Sequence, residues 1–328
     1  MKNSVEINHR RMTFSVEYAT ELLGVISILC ADQDAICDAG AEWGNGAYRN
    51  EVLDYFDVWK GCEVTKLLEK LSDDYNFNFD APVDLFLQRK HGFEPDLEAL
   101  CRHRKPMPPE LFSHFLDLVD QFEAQSGFAE FYEAHRPYYE LTLRRFVEDY
   151  DSFQPLDFLT EYLGVATKER YHVNLMLGIT NSNYGVTVGE DLYANCCPNG
   201  KSRFAPMPDF SYSPIYWTTL IVHEFAHSFV NPISARNSER IAKINIDSYR
   251  DTLRELMYGD SMETYINETI IRAIECLYVR KFFPEQHDGY VKDYIDEGFC
   301  KLREVETLLA GMSGSSLEAE FEKILRVF

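Results

Sequence analysis

Five residues in the second half of the chain, His223-Glu224-Phe225-Ala226-His227, have the types and the spacing that bind a metal ion and activate water. On an α-helix, residues four apart lie one turn above each other, so both imidazoles share a face and can reach one ion. Glu224 then projects beside them toward a metal-bound water, where it acts as the general base. The motif therefore predicts a metal-dependent hydrolytic site.

The residues around the motif indicate that it lies on a helix. Ser213 and Pro214 are typical of a helix N-cap and first turn, and residues 216–222 contain neither Gly nor Pro. The dipeptide Asn231-Pro232 predicts that this helix ends shortly after the motif. The alternative is a buried helix whose histidines serve only as hydrogen-bonding groups.

Two histidines do not complete a catalytic zinc site, which usually has three protein ligands and an open fourth position. A metzincin would continue with Gly and a third His, but the residues after His227 are Ser228-Phe229-Val230-Asn231-Pro232. The remaining common solution is a glutamate on a second, later helix. The third ligand is therefore expected downstream of the motif.

Residues 261–277 have helical periodicity and carry three candidate glutamates, of which Glu268 is favoured, then Glu275, then Glu263. Glu268 lies between apolar residues, whereas Glu263 is near the helix start, where the helix dipole alone favours a carboxylate. Arg272 follows Glu268 by one turn and can orient its carboxylate. The alternative is that Glu268 and Arg272 form an ordinary intrahelical ion pair on a solvated face.

These residues together resemble a known group of enzymes. The chain resembles the zincin metallopeptidases, and among them the gluzincins, in which a Glu from a later helix joins the two histidines. More narrowly, His223 to Pro232 with Asn267-Glu268 and Arg272 is similar to an uncharacterised bacterial family described only as a domain of unknown function. The resemblance is carried mainly by residues 171–277.

The resemblance implies that His223, His227 and Glu268 bind Zn²⁺ and that Glu224 is the general base. Thermolysin-like enzymes place an Asp one turn after the glutamate ligand, whereas this chain has Arg272 there. The interval between His227 and Glu268 is also longer than in those enzymes. The resemblance is therefore to the zincins in general and not to close relatives of thermolysin.

The expected activity is zinc-dependent hydrolysis of a peptide bond in a peptide or protein substrate. The oxyanion formed in that reaction needs a donor besides the metal, and Tyr265, one turn before Glu268, is the first candidate. Tyr184 and Tyr193 are the alternatives. Two other hypotheses are a catalytically inactive zinc-binding protein used for recognition and a helical interaction protein without a metal.

Composition limits the partners. The formal net charge of −22 and the pI near 4.8 argue against nucleic-acid or anionic-membrane partners, which require a basic surface. The apolar run Leu22 to Cys30 is too short to cross a membrane, and Glu17 and Glu21 make this region a poor signal peptide. No Cys-x-x-Cys pair occurs, and the adjacent Cys196 and Cys197 are expected to be two reduced thiols, with a strained vicinal disulfide as the alternative. These features favour a cytoplasmic protein, and they leave the oligomeric state undecided.

The expected fold class is α+β and mostly helical, with a zincin-like core, a small mixed or antiparallel sheet and two metal-ligand helices. A mainly helical region is expected over residues 1–160 and a catalytic region over residues 161–328, unless the two form one continuous domain. Alternating apolar residues predict strands within Tyr171 to Ile179, Tyr184 to Val188 and Asp191 to Ala194. A further short strand is expected around Ser4 to Phe14.

Overall fold

The computed structural model describes residues 4–30, 46–78, 80–101, 105–150, 155–163, 170–179, 183–198, 210, 212–312 and 316–328. Contacts between Cα atoms divide the chain into two compact units. Unit 1 comprises residues 1–151 and 169–212, and unit 2 comprises residues 152–168 and 213–328. The motif helix and every glutamate considered as its partner belong to unit 2.

Unit 1 combines helices with one small sheet. The helices carry buried apolar stripes, as in residues 63–75, where Val64, Leu67, Leu68 and Leu71 face the core. In chain order the elements are β1 (Val5–His9), β2 (Met12–Val16), α1 (Tyr18–Ile28), α2 (Gly46–Tyr55), α3 (Glu63–Tyr75), α4 (Asp80–His91), α5 (Leu97–Leu100), α6 (Pro109–Gln125), α7 (Phe128–Tyr150), β3 (Arg170–Leu175), β4 (Tyr184–Val188) and β5 (Asp191–Cys196).

The sheet has five strands in the order β1-β2-β3-β5-β4 and is mixed. β1 and β2 form an antiparallel hairpin whose turn contains Arg10 in the left-handed region, with φ of 53°. The single strand expected around Ser4 to Phe14 is therefore two strands. β2 pairs with β3 in parallel, with Phe14 opposite Val173, and β3 pairs with β5 in parallel.

This parallel pairing explains why the division of the chain differs from the one expected at residues 160 and 161. β3 hydrogen-bonds to β2 near the N-terminus, and β5 and then β4 pair onto β3, so all three strands belong to unit 1. Only α8 (Pro155–Leu163), from the N-terminal half, joins the motif helix in unit 2. Sequence periodicity does not reveal such a partner, because the two strands are more than 150 residues apart.

The interior of unit 1 contains a buried carboxylate beside a close backbone contact. Glu21 of α1 is fully buried, and its carboxylate accepts hydrogen bonds from the Leu177 backbone N–H at 2.8 Å and the Tyr48 hydroxyl at 2.7 Å. Burial raises the pKa of Glu21 to about 7. Gly24 and Gly178 let the two backbones touch, since a Cβ atom at Gly178 would lie 2.9 Å from the Gly24 Cα.

Unit 2 is entirely helical among its described residues. α9 (Pro214–Arg236) packs against α8 and α12, and α12 packs against α13 and α14. The Ser213 side chain caps α9 by accepting a hydrogen bond from the Tyr216 N–H. After α8, the elements are α9, α10 (Ser238–Ile241), α11 (Arg250–Glu255), α12 (Met262–Phe282), α13 (His287–Asp296), α14 (Leu302–Ala310) and α15 (Leu317–Leu325).

The expectation that α9 ends at Asn231-Pro232 is wrong, because the helix continues to Arg236 with Pro232 inside it. A proline removes one backbone hydrogen bond, and packing beyond it can compensate for that loss. Here Ile233 and Ser234 are buried, and the Ser234 hydroxyl donates to the side-chain amide oxygen of Asn267 on α12. Tertiary contact thus holds the last turn and links the two helices that carry the site.

The fold class expected from sequence, α+β and mostly helical with a small mixed sheet, is confirmed. Cys196 and Cys197 are not joined by a disulfide. No helix in the described ranges is long and apolar enough to span a membrane.

Candidate metal centre

The helix α9 brings the motif side chains together as the four-residue spacing predicts. The ring centroids of His223 and His227 lie 4.9 Å apart, and ligand atoms of His223, Glu224 and His227 all lie within 4.8 Å of one another. The two imidazoles are partly exposed, whereas Glu224 is buried. Solvent can therefore reach the two histidine side chains of α9, whereas the Glu224 side chain is shielded from it.

The second helix, α12, supplies the third candidate ligand at the position predicted. Glu268 directs one carboxylate oxygen at each imidazole: Oε2 lies 3.7 Å from His223 Nε2, and Oε1 lies 3.6 Å from His227 Nε2. Of the three glutamates considered on α12, Glu268 is the one that faces both Nε2 atoms. The alternative of an ion pair on a fully solvated face does not fit, because the Glu268 side chain is only 13% exposed.

These separations match the size of a zinc ion. Zinc binds histidine nitrogen and carboxylate oxygen at about 2.0–2.1 Å, so two ligands at tetrahedral positions lie roughly 3.4 Å apart. The observed 3.6 and 3.7 Å are close to that spacing, with a different oxygen of Glu268 facing each imidazole. Two imidazole nitrogens and one carboxylate are also a common donor set of catalytic zinc. The residues present therefore fit the metal.

Glu275 lies behind His223 and is not placed as a ligand. Its Oε1 is 2.6 Å from His223 Nδ1, the nitrogen that faces away from Glu268. Its Oε2 accepts hydrogen bonds from the hydroxyls of Tyr290 at 2.8 Å and Tyr294 at 2.7 Å, both on α13. Glu275, whose side chain is 2% exposed, thus engages Nδ1 and leaves Nε2 as the nitrogen that faces Glu268.

Arg272 orients Glu268, as expected from its place one turn later. It donates from Nη1 to Glu268 Oε2, and its guanidinium lies over the ring of Phe299 at 4.2 Å and that of Tyr294 at 5.2 Å. The aromatic faces favour the cation and fix its plane. Two ligands of the candidate site, His223 and Glu268, thus each have a charged partner behind them.

The electrostatics of the cluster favour a divalent cation. Three carboxylates, those of Glu224, Glu268 and Glu275, face one guanidinium, that of Arg272. Burial opposes a charge on His223, but the carboxylates outweigh it and raise its pKa to about 9, so a metal ion displaces a proton there and leaves the carboxylates in excess. Burial opposes ionisation of Glu268, but the histidines and Arg272 outweigh it and lower its pKa to about 2. A dication at this place neutralises the excess.

Glu224 has the electrostatic character of a base that works near neutral pH. Burial raises its pKa to about 7, with Glu268 and Glu275 adding to the shift and His223 opposing it. A carboxylate with a pKa close to the working pH both takes and returns a proton readily. Glu224 and Glu268 therefore have opposite pKa shifts within one cluster.

The structure does not bring Tyr265 to the ligand atoms, and its expected role as oxyanion donor needs correction. Tyr265 is fully buried, stacks on Phe299 and donates its hydroxyl to the Gly298 carbonyl at 3.0 Å. Tyr193, one of the two alternatives, is in unit 1, where its hydroxyl lies 2.7 Å from His91 Nε2. Tyr184 is on β4, also in unit 1.

A tyrosine that sequence patterns did not single out lies in the electrostatic neighbourhood of the site. Burial and then the charge of Glu268 raise the pKa of Tyr258 to about 12, with Arg272 opposing. Tyr258 follows Met257, whose φ of 58° places a bulky residue in the left-handed region, and Met257 is 89% exposed. Strained backbone of this kind is concentrated at functional sites. Among the described residues, the Tyr258 hydroxyl has no hydrogen-bond partner.

The chain belongs to the family described as "Domain of unknown function (DUF4932)", which matches residues 13–311. That match spans both units and includes every residue of the candidate metal centre. No curated protein and no solved structure matches the chain.

Proposed function

We propose that this member of the DUF4932 family is a zinc-dependent hydrolase of peptide bonds, similar in its ligand set to the gluzincin metallopeptidases. The observation that carries the proposal is the position of Glu268, whose two oxygens lie 3.7 and 3.6 Å from the Nε2 atoms of His223 and His227. This position brings two imidazole nitrogens and one carboxylate together, which is a common donor set of catalytic zinc.

In this proposal His223, His227 and Glu268 hold zinc and leave a fourth position open. When bound, zinc supplies Lewis-acid activation of water and of the substrate carbonyl. Glu224 takes a proton from the attacking water and returns it to the leaving amine, and its burial keeps its proton affinity high enough for both transfers. A site that only stored zinc would not need a buried glutamate beside the open position.

The proposal assigns the oxyanion to Tyr258. Tyr265 donates its hydroxyl to a backbone carbonyl, whereas the charge of Glu268 adds to the effect of burial on the pKa of Tyr258 and that of Arg272 opposes it. A hydrogen bond from a neutral phenol to the oxyanion stabilises charge that develops only in the transition state. Tyr258 therefore replaces Tyr265 in the proposed machinery.

The test combines zinc analysis with peptide cleavage. The wild-type protein and the Glu224→Gln variant are each incubated with a broad peptide library, and new termini are identified by mass spectrometry. We expect both proteins to bind one zinc, the wild type to cleave, and Glu224→Gln to cleave at least ~100-fold more slowly. Glu263→Gln is the matched control, because Glu263 is on α12 but forms no hydrogen bond or ion pair with described residues.

Two results would contradict the proposal. If Glu224→Gln cleaves as fast as the wild type, the hydrolysis does not depend on this site. If the wild type binds zinc stoichiometrically but cleaves no peptide in the library, the site serves recognition and not peptide hydrolysis.

A further inference from the structure

The two tyrosines of α13 converge on one carboxylate oxygen. Tyr290 and Tyr294 both donate to Glu275 Oε2, at 2.8 and 2.7 Å, and their hydroxyl oxygens lie 3.0 Å apart. The other oxygen of Glu275 faces His223 Nδ1. Three hydrogen bonds fix the rotamer of this buried carboxylate, so both tyrosines act on His223 through Glu275.

Tyr294 has a second contact that Tyr290 does not share. The centroid of its ring lies 5.2 Å from the central guanidinium carbon of Arg272, which donates a hydrogen bond to Glu268. The hydroxyl of Tyr294 thus contacts Glu275, the partner of His223. Its ring contacts Arg272, the partner of Glu268. No other described residue contacts both Glu275 and Arg272 in this way.

We propose that Tyr294 is the positioning residue that couples the two ligand helices, holding His223 on α9 through Glu275 and Glu268 on α12 through Arg272. The proposal rests on the zinc centre proposed above and adds which residue sets its geometry. Zinc ligands must stay close to their bound positions for tight binding, and partners behind the ligands supply that order. Tyr294 serves two ligands at once, so its loss affects more of the site than the loss of Tyr290.

The alternative is that Tyr294 only helps to pack α13. A packing role predicts lower thermal stability with unchanged zinc affinity. A positioning role predicts weaker zinc binding, and it predicts that hydroxyl and ring contribute separately. Phe and Leu substitutions separate the two, because Phe keeps the ring that lies over Arg272 and Leu removes it.

The experiment measures the Kd for Zn²⁺ by competition with a chromophoric chelator, in the full-length protein. Four variants are compared with the wild type: Tyr294→Phe, Tyr294→Leu, Tyr290→Phe and Tyr290→Leu. We expect each Phe variant to raise the Kd roughly 3–10-fold, since each removes one of two equivalent donors to Glu275. Tyr294→Leu should raise it roughly 30–100-fold in total, whereas Tyr290→Leu should resemble Tyr290→Phe.

The Glu275→Gln background gives a second comparison. There, Tyr290→Phe should have little further effect, because its acceptor is already lost, while Tyr294→Leu should still weaken binding through Arg272. Such non-additivity identifies residues that act through a shared partner.

The outcomes separate this proposal from the one on function. A wild type that binds zinc, with Tyr294→Leu no weaker than Tyr290→Leu, overturns the role of Tyr294 alone. A wild type that binds no zinc overturns both proposals. If Tyr294→Leu does not fold, Tyr294→Phe decides: unchanged zinc affinity in that variant contradicts the hydroxyl's role, and a 3–10-fold loss supports it.

Discussion

Replacing Glu275 by Gln tests the orientation of His223 most sharply. The carboxylate of Glu275 is 2% exposed and has three partners, namely His223 Nδ1 at 2.6 Å and the hydroxyls of Tyr290 and Tyr294. Gln keeps the shape and one acceptor oxygen but removes the charge. It also places an amide donor among three groups that all donate in the wild type.

The size of the effect follows from these contacts. A hydrogen bond to a charged group contributes about 1 kcal/mol more than a neutral one. Turning the amide toward hydroxyl donors costs about a further 1 kcal/mol, because a buried donor loses its acceptor. The sum of about 2 kcal/mol corresponds to a roughly 30-fold rise in the Kd for Zn²⁺, within the 10–100-fold range typical of partners behind zinc ligands.

The assay is chelator competition at fixed pH, with circular dichroism to show that the fold is retained. Glu263→Gln is the control for the same substitution on the same helix, and we expect it to leave the Kd within about twofold. A folded Glu275→Gln variant whose Kd changes less than threefold would refute the reasoning, because Glu275 would then not orient a metal ligand.

Three further predictions concern catalysis and the fold. Tyr258→Phe should lower kcat for peptide cleavage by roughly 10–1000-fold at unchanged zinc content; an unchanged kcat would exclude Tyr258 as the oxyanion donor. Burial raises the folded-state pKa of Glu21 to about 7, against a usual 4.5. The free energy of unfolding should therefore fall by about 3 kcal/mol as the pH rises through that interval, because the buried carboxyl must ionise. Urea unfolding at pH 5 and pH 8 should show a larger loss in the wild type than in Glu21→Gln, where Glu224 still titrates, and equal pH dependence would contradict it. Gly178→Ala should lower the free energy of unfolding by about 1–3 kcal/mol because its Cβ meets Gly24, whereas Gly289→Ala in α13, with nothing within 4 Å, should not be destabilising; equal melting temperatures would refute the close contact.

Local patterns predicted the elements of the site well. The Ser213 cap, the helical spacing of the motif and the periodicity of α12 all arise from short-range rules, and these rules place Glu268 on a helix from sequence alone. Glu275 also had a sequence signal, since it follows Glu268 by two turns on the same face. That Glu275 contacts His223 and is not itself placed as a metal ligand depends on the packing of α12 against α9.

The parts that sequence did not predict depend on tertiary contacts. Tyr290 and Tyr294 form a simple i, i+4 pair, and nothing in that spacing indicates that α13 directs both at Glu275. The turn before Tyr258 has Met257 in the left-handed region, which its residue type disfavours. The parallel pairing of β2 with β3 joins segments from opposite ends of unit 1, and alternation alone predicts strands but not their partners.

The most direct test of the central claim is the zinc content of protein purified without added metal. The account predicts one zinc per chain in the wild type and less than about a tenth of that in His223→Ala, His227→Ala and Glu268→Ala. Glu263→Ala should keep the full equivalent. A wild type without zinc, or a Glu268→Ala variant that retains it in full, would contradict the claim that His223, His227 and Glu268 form the metal centre.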